Sequence, residues 1–425
     1  MALSILFGSL IIFMLLRVPI AFSLALSSLL YILYAGLPEV VLYHNMVNGM
    51  DSFTLLAIPF FILAGGLMNS AGITARIFGF ARALVGWMPG GLGHVNIGAS
   101  IVFAGMSGAA VADAGGLGKI EIKAMREAGY DVDFSVGITA ASSTIGPIIP
   151  PSLPLVIFGV MSSVSIGQLF VAGIIPGFLM AASLSIMVWW IAKKRNYPVD
   201  VAFSIKNVAS SFKSAFLPLM TPVIIVGGIT TGAFTPTEAA ICAAAYAIFL
   251  GVIIYRTLTT RKLAVISLET IETTASIMMI VGTASVFAWI LTANQVAANL
   301  TEFILSLTDN KHLVLLLIML IVLFVGLFME TIAAISILVP VLLPVTAGLG
   351  IDPVHLGIIV ILNLMLGLLT PPVGMVLFVL SRVSGVPFEQ CVKATLPFLV
   401  PLIAVLFLLT FVPSLTLFLP NLLYR

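Results

Sequence analysis

Charge is what this sequence has least of. Only 8% of its 425 residues are Asp, Glu, Lys or Arg, against 61% that are hydrophobic, and the mean hydropathy is +1.25. So few polar groups cannot cover a water-facing surface, which excludes an ordinary soluble domain and leaves a polytopic membrane protein. Cysteine is scarce as well: Cys242 and Cys391 both lie in or beside apolar segments and read as buried free thiols, not as a disulfide framework. The four histidines, His44, His94, His312 and His355, fall at segment ends, and no His-Glu-x-x-His, serine–lysine or paired-aspartate constellation occurs within the apolar runs. An enzyme acting inside the membrane needs a nucleophile or metal in a wet cavity, and none is offered. The basic residues sit in loops and the net charge is only +2, so nothing points to nucleic acid. Period-two alternation is missing, which excludes a barrel.

What is present is about ten apolar runs near the roughly 20 residues needed to span a bilayer, with several shorter or interrupted ones. Leu3–Leu16 and Ile20–Tyr34 flank Arg17-Val18-Pro19; each covers only about 21–24 Å as a helix, so one long tilted helix and two short ones are both open. Met1–Leu16 carries no charged leader or cleavage site and is expected to stay as a helix. Pro38–Asp51 reads as a polar connection, Phe53–Met68 as a span, and the stretch with Arg76 and Arg82 as a loop or surface helix. Lys119–Asp133 is charged, helix-like and expected outside the hydrocarbon. Later spans are Val164–Ala192, Ala215–Ala233, Glu238–Tyr255, one from about Thr270 to Ala293, and a last one ending near Leu419.

The chain is organised around a doubled motif. Residues 142–158 and 363–379 each place a glycine four residues before a proline pair inside an apolar segment: Gly146 before Pro150-Pro151, and Gly367 before Pro371-Pro372. The same ungapped offset of 221 residues pairs Gly105 with Gly326, Gly129 with Gly350, Asp131 with Asp352 and Pro176 with Pro397. This internal repeat divides the chain into N-terminal scaffold helices 1–51, repeat one 52–195, central spans and arms 196–269, and repeat two 270–425. Proline lacks an amide donor and clashes with the preceding turn, so each pair breaks its helix; the broken helices are placed at 134–160 and 354–380. Asn96–Gly118 is rich in small residues, which suit either close helix packing or a chain reversal covered by protein. Alone, the two readings are equal. Its repeat partner, interrupted at Met329-Glu330-Thr331, favours re-entrant hairpins at about 96–118 and 312–348.

Basic residues orient the repeats. Lys119, Lys123 and Arg126 follow the first hairpin, while the matching Val341–Pro353 has no Lys or Arg; Lys193-Lys194-Arg195 ends the first repeat, and the second has no basic residue before Arg425. By the positive-inside rule the equivalent loops lie on opposite faces, an inverted topology. Inverted repeats with discontinuous helices are the architecture of secondary transporters. Freed carbonyls suit a dehydrated sodium ion, and half-helix N-termini suit a carboxylate. Ser142, Ser143 and Thr144 precede one break; Asn363 matches Ser142, and Thr370 lies in the other. A lone hydroxyl in a span more often bonds back to its own helix, but clustering at both breaks favours a site. Glu330 either binds a cation or pairs with a basic group, or else is solvated at a surface tip, with equal weight on the two readings. Glu238 and Asp113 read as span-end or capping residues with a modest chance of an ion role. A passive channel is compatible with composition alone.

Arg17-Val18-Pro19-Ile20-Ala21-Phe22, Ala57-Ile58-Pro59-Phe60-Phe61, Gly105-Met106-Ser107-Gly108-Ala109-Ala110-Val111-Ala112-Asp113 and Gly146-Pro147-Ile148-Ile149-Pro150-Pro151-Ser152 resemble the large membrane subunit of tripartite ATP-independent periplasmic (TRAP) transporters, over essentially the whole chain. The resemblance implies a multi-pass protein of the bacterial inner membrane and a fold similar to divalent anion sodium symporters. It implies an elevator, in which hairpins and broken helices slide against a scaffold, with the regions near 193–213 and 256–270 as amphipathic arms. It also implies two or more Na+ ions, a small four-helix membrane subunit and a periplasmic binding protein that delivers an organic acid. Carried onto this chain, it places sodium at Gly105, Ser107, Ser143, Gly146 and Ile149, and at Gly326, Gly367, Thr370 and Val373. Substrate would meet Ser107, Ser142, Thr144, Met329, Thr331 and Asn363. The hairpin tips, Ser107-Gly108-Ala109 and Met329-Glu330-Thr331, depart from the Ser-Asn-Thr of divalent anion symporters, so that carboxylate contact does not transfer. The stretch Met106–Gly116 looks closest to subunits associated with sialic acid, which ranks first; a C4-dicarboxylate or sugar acid follows.

Overall fold

A computed structural model describes residues 2–308 and 310–424, apart from the side chains at 105–107, 305 and 307. Every regular element among them is helical. Seven helices are long and apolar enough to cross a membrane, as the composition demands: without water, backbone groups must be satisfied within the segment.

The N-terminal third contains α1 (Ala2–Leu15), α2 (Ile20–Tyr34), α3 (Val40–Met50), α4 (Ala57–Ser70), α5 (Ile73–Val85), α6 (Gly91–Ser107) and α7 (Ala110–Glu127). Then come α8 (Val132–Ser143), α9 (Leu153–Ser162), α10 (Ile166–Arg195), α11 (Ile205–Thr230), α12 (Pro236–Ile248) and α13 (Thr260–Ala293). The remainder is α14 (Val296–Leu307), α15 (Lys311–Gly326), α16 (Thr331–Gly348), α17 (Pro353–Gly367), α18 (Met375–Ser384), α19 (Phe388–Phe411) and α20 (Ser414–Leu423).

Two apolar cores form. The larger gathers α4 to α12 and α15 to α19; the smaller is built from Leu6, Leu10, Leu24, Ile32, Phe287 and Ile290, joining α1 and α2 to the C-terminal half of α13. The 34-residue α13 serves both, with Ile277 and Val281 in the larger core and Phe287 in the smaller. Around the breaks the packing is exchanged. α6 and α15 lie against α8 and α17 of their own halves, whereas α7 packs on α18 and α16 packs on α9.

The segment between α10 and α11 is pinned at two places. Arg82 of α5 makes a bidentate bond to Asp200 at 2.6 and 2.8 Å, and the Asp200 amide donates to the Gly86 carbonyl. The Tyr130 hydroxyl donates to the Pro198 carbonyl, while Asp131 accepts from Tyr197 at 2.6 Å and Arg195 at 2.7 Å. The Tyr197 hydroxyl, followed by the Arg195 guanidinium, holds the Asp131 carboxyl below its ordinary pKa.

Several sequence expectations change. Residues 1–35 form two helices, turned at Arg17 in the left-handed region (φ 61°). Pro38–Asp51 is a helix over Val40–Met50, because its polar groups are satisfied along it: Asn45 donates to the Val41 carbonyl and Asn48 pairs with His44. The connection 294–311 likewise contains α14, and α13 begins ten residues before Thr270, so a division at 269/270 falls inside one helix. The final span stops at Phe411 and a separate short helix follows. Lys119–Glu127 is no separate surface helix. It continues α7, whose buried residues at 110, 113, 114, 117, 118, 121, 122 and 125 follow helical 3–4 spacing and carry Asp113 and Glu121 inward.

Candidate functional site

The first break begins where α8 ends at Ser143 and closes where α9 begins at Leu153. Pro147, Pro150 and Pro151 deny the helix its amides, and the Pro150–Pro151 peptide is cis. Ser152 starts the new helix: its hydroxyl donates to the Pro147 carbonyl at 2.5 Å and accepts from the Leu155 amide at 3.2 Å, satisfying one orphan donor. The tip of the α6–α7 hairpin sits against this turn. Gly108 is left-handed (φ 58°), and a Cβ there would lie 2.7 Å from the Pro151 carbonyl oxygen, so only glycine allows the approach.

The hydroxyls before the break are buried and engaged. Ser143 donates to the Ala140 carbonyl at 2.8 Å and Thr144 to Ala141 at 2.6 Å, each within its own helix. Ser142 donates to Asn96 Oδ1 at 2.5 Å, and Asn96 Nδ2 donates to Thr139 at 2.7 Å, a side-chain staple between α6 and α8. Gly146 lies over Ser143 and Asp113: a Cβ at Gly146 would be 3.4 Å from the Ser143 carbonyl oxygen and 3.9 Å from Asp113 Oδ2. Ile149 packs toward α10, where a Cβ at Gly177 would meet its side chain at 2.2 Å.

At the second break α17 ends at Gly367, the Pro371–Pro372 peptide is cis, and α18 starts after Gly374 (φ 56°). Here the hairpin meets the break backbone to backbone. A Cβ on Gly367 would lie 2.6 Å from the Gly326 carbonyl carbon, and the Val373 amide donates to the Leu327 carbonyl at 3.3 Å. Thr370 donates to the Leu366 carbonyl at 2.8 Å, leaving its lone pairs free to accept. Asn363, buried like Ser142, donates across to the Met319 carbonyl of α15 at 2.6 Å, while its Oδ1 has no partner. Met329 and Thr331 bracket Glu330, whose carboxylate accepts from the Ile332 and Ala333 amides at 2.9 and 3.3 Å. Glu330 is therefore an N-cap carboxylate at the positive end of α16.

Thus Gly326, Gly367, Thr370 and Val373 come together in one turn region, and Ser143 and Gly146 in another, with Ile149 further along the same break. Gly105 and Ser107, read as sodium ligands, and Ser107 also as a substrate contact, lie outside the described residues. Glu238 does cap, in a reciprocal box with Thr235. Asp113 does not: Ala109 is the N-cap of α7, and Asp113 lies one turn in, 1% exposed, with Oδ2 unpartnered. Sequence reasoning gave no role to Asn96 or Ser100 and read Glu121 as one of the charges of a run outside the hydrocarbon, although the 3–4 spacing from Ala110 to Met125 signals that Asp113 and Glu121 share a buried stripe.

A cavity of about 280 Å³ opens beside the first tip, lined by Ala109, Ala112 and Leu153 on one side and by Asn69 of α4 and Glu269 and Thr273 of α13 on the other. A larger one of about 550 Å³ lies at the end of α9, lined by Ser163, Ser165, Phe234 and Tyr424. Among the described residues no group of three or more His, Cys, Asp or Glu is placed to hold a metal ion. Backbone and hydroxyl oxygens, with the Asp113 carboxylate beside Gly146, are the donors at the first break.

Residues 7–415 match the family model described as the tripartite ATP-independent periplasmic transporter, DctM component. The chain is 51% identical over 405 residues to the sialic acid TRAP transporter large permease protein SiaM of Vibrio cholerae, covering 95% of both chains. It is 44% identical to the sialic acid TRAP transporter permease protein SiaT of Haemophilus influenzae, over 97% of this chain and 67% of that one. In fold it is similar to the solved structure of the Alcanivorax borkumensis YdaH transporter, with a TM-score of 0.62, 16% identity, and coverage of 88% of this chain and 87% of that one. These relatives are permeases, and this too is a transport protein rather than an enzyme. The chain belongs to the TRAP transporter large-permease family, the DctM component.

Proposed function

We propose that this chain imports a carboxylated solute across a bacterial inner membrane, coupled to sodium, with sialic acid as the first substrate and a C4-dicarboxylate or sugar acid as the alternative. The observation that carries the reading is the contact of each break with a hairpin tip: Gly108 against Pro151–Leu153, and Gly326 against Gly367. Broken helices present unpaired carbonyls where lipid cannot solvate them, and a small hard cation satisfies such oxygens. Sodium is held by carbonyls near Ser143, Gly146 and Ile149 at one break, and by Gly326, Gly367, Thr370 and Val373 at the other, giving two or more ions. Substrate is met at the tips, by Ser107, Met329 and Thr331, and at the breaks by Ser142, Thr144 and Asn363. The names of the two relatives above support sialic acid.

The two halves act as inverted repeats, and transport follows an elevator, the hairpins and broken helices moving against the remaining spans. A small four-helix membrane subunit completes the permease, and a periplasmic binding protein delivers the solute. The test is uptake into proteoliposomes holding this chain, the small subunit and the binding protein. Sialic acid is expected to accumulate against its gradient only when sodium is present outside. Uptake unchanged when potassium replaces sodium overturns the coupling, and equilibration without accumulation identifies a passive channel instead.

A further inference from the structure

The first break has a buried carboxylate with an unpartnered oxygen, whereas the carboxylate at the second tip, Glu330, is bonded to the α16 amides. Asp113 is 1% exposed, its Oδ2 has no hydrogen-bond partner, and it takes part in none of the ion pairs among the described residues. It does not cap α7, whose N-cap is Ala109. Burying an ionised carboxylate with no partner is strongly unfavourable, so the group must meet a proton or a cation. Its direction favours the cation. Oδ2 points at Gly146, lying 3.9 Å from where a Cβ would sit, and the Ser143 carbonyl oxygen lies 3.4 Å from the same point. From α6 the Ser100 hydroxyl faces Asp113, buried and likewise without a partner of good geometry. A carboxylate and a carbonyl oxygen thus converge around a position kept open by glycine, with the Ser100 hydroxyl beside the carboxylate, an all-oxygen set suited to a hard cation. The residues 221 positions on from Asp113 and Ser100 are Ala334 and Ile321, so the second break has neither group.

We propose that Asp113, with Ser100 beside it, is the charged ligand of the sodium ion held at the first break. This rests on the sodium-coupled reading above, and it makes the two ions unequal: one has a carboxylate oxygen free to bind it, while the carboxylate at the second tip, Glu330, is engaged by the α16 amides.

The test is thermal unfolding of the full chain in detergent, with NaCl titrated against choline chloride at constant ionic strength. It is run on the wild type and in a Thr370→Ala background that weakens the second break. The wild type is expected to gain Tm with sodium. Asp113→Asn keeps shape and volume but removes the charge, and is expected to raise the half-saturating sodium concentration at least tenfold. Gly146→Ala, whose methyl would sit at van der Waals distance from its neighbours and fill the cradle, is expected to do the same, and it gives an independent reading if the Asn variant does not fold. Half-saturation unchanged in both variants overturns the role of Asp113 and leaves sodium coupling standing. A wild type with no sodium-specific rise in Tm removes the sodium reading itself, and this proposal with it.

Discussion

At the first break Ser152 caps the re-entering helix with its own hydroxyl, whereas the corresponding turn of the second break ends on Gly374 and α18 starts with no side-chain cap. The first hairpin is tied to its broken helix by the Ser142–Asn96 side-chain bond, with Gly108 against the Pro151 carbonyl; the second is tied by Asn363 to the Met319 carbonyl, with the bare backbones of Gly326 and Gly367 in contact. Both turns share a cis proline pair with a glycine four residues before it. One backbone solution is thus closed by the same two kinds of contact in different form: a bond between two side chains anchors the first half, and a side chain-to-backbone bond beside a glycine-on-glycine contact anchors the second. The halves should therefore respond to different kinds of substitution.

The largest expected effect is at Gly367. Its Cβ would fall 2.6 Å from the Gly326 carbonyl carbon and 2.7 Å from its oxygen, and backbone cannot swing away. Gly367→Ala should cost about 3 kcal/mol, or prevent accumulation of folded protein, and Gly367→Leu should be worse. Gly146→Ala meets its nearest neighbour at 3.4 Å and should cost less than about 1 kcal/mol. Equal losses of Tm in the two alanine variants would erase the distinction between the halves.

Next come the side-chain bonds. Ser142→Ala strands Asn96 Oδ1 in a buried site and should cost about 1–2 kcal/mol, read as a fall in Tm. Asn363→Ala should cost less, because one of its amide atoms is already unpartnered. Thr370→Ala bears on function more than on folding, since its hydroxyl bonds only within its own helix. It should raise the sodium concentration for half-maximal uptake by about tenfold, equivalent to about 1.4 kcal/mol.

The smallest effect separates Asp131 from its counterpart Asp352, which caps α17 by accepting from the Val354 amide at 2.8 Å. Asp131 instead accepts from Tyr197 and Arg195. Its folded pKa lies below the ordinary value, so its stabilisation is complete above pH ~4 and is lost as pH falls through the folded value. With 57% of its side chain exposed, solvent screening limits the gain to about 0.5 kcal/mol. The Tm difference between wild type and Asp131→Asn should be small at pH 7 and vanish once the pH has fallen below the lowered folded value.

The breaks were legible because proline and glycine act through the backbone, where their meaning depends little on neighbours. Gly146, Pro150, Gly367 and Pro371 could be read in place for that reason. Which side chains close the turns was not legible, because that depends on which helix lies opposite. Asn96 looks like any polar residue near a span end until α8 is packed against it. Asp113 and Glu121 sit among Lys119, Lys123 and Arg126, and the charge of that run hid a buried stripe at helical spacing. Polar composition also disguised α3 and α14 as connections, since side-chain bonds along a helix leave no trace in hydropathy.

The exchange of hairpin arms has a consequence for synthesis. α7 and α9 pack partly on their own half and partly on α18 and α16, which lie within residues 331–384 and leave the ribosome much later. The faces of α7 and α9 that meet those later helices must wait, uncovered, through well over a hundred residues of chain growth. Contacts so distant in sequence are slow to form and leave apolar surface open to mispairing. The first half of this chain can be made before the second, but it cannot be finished without it.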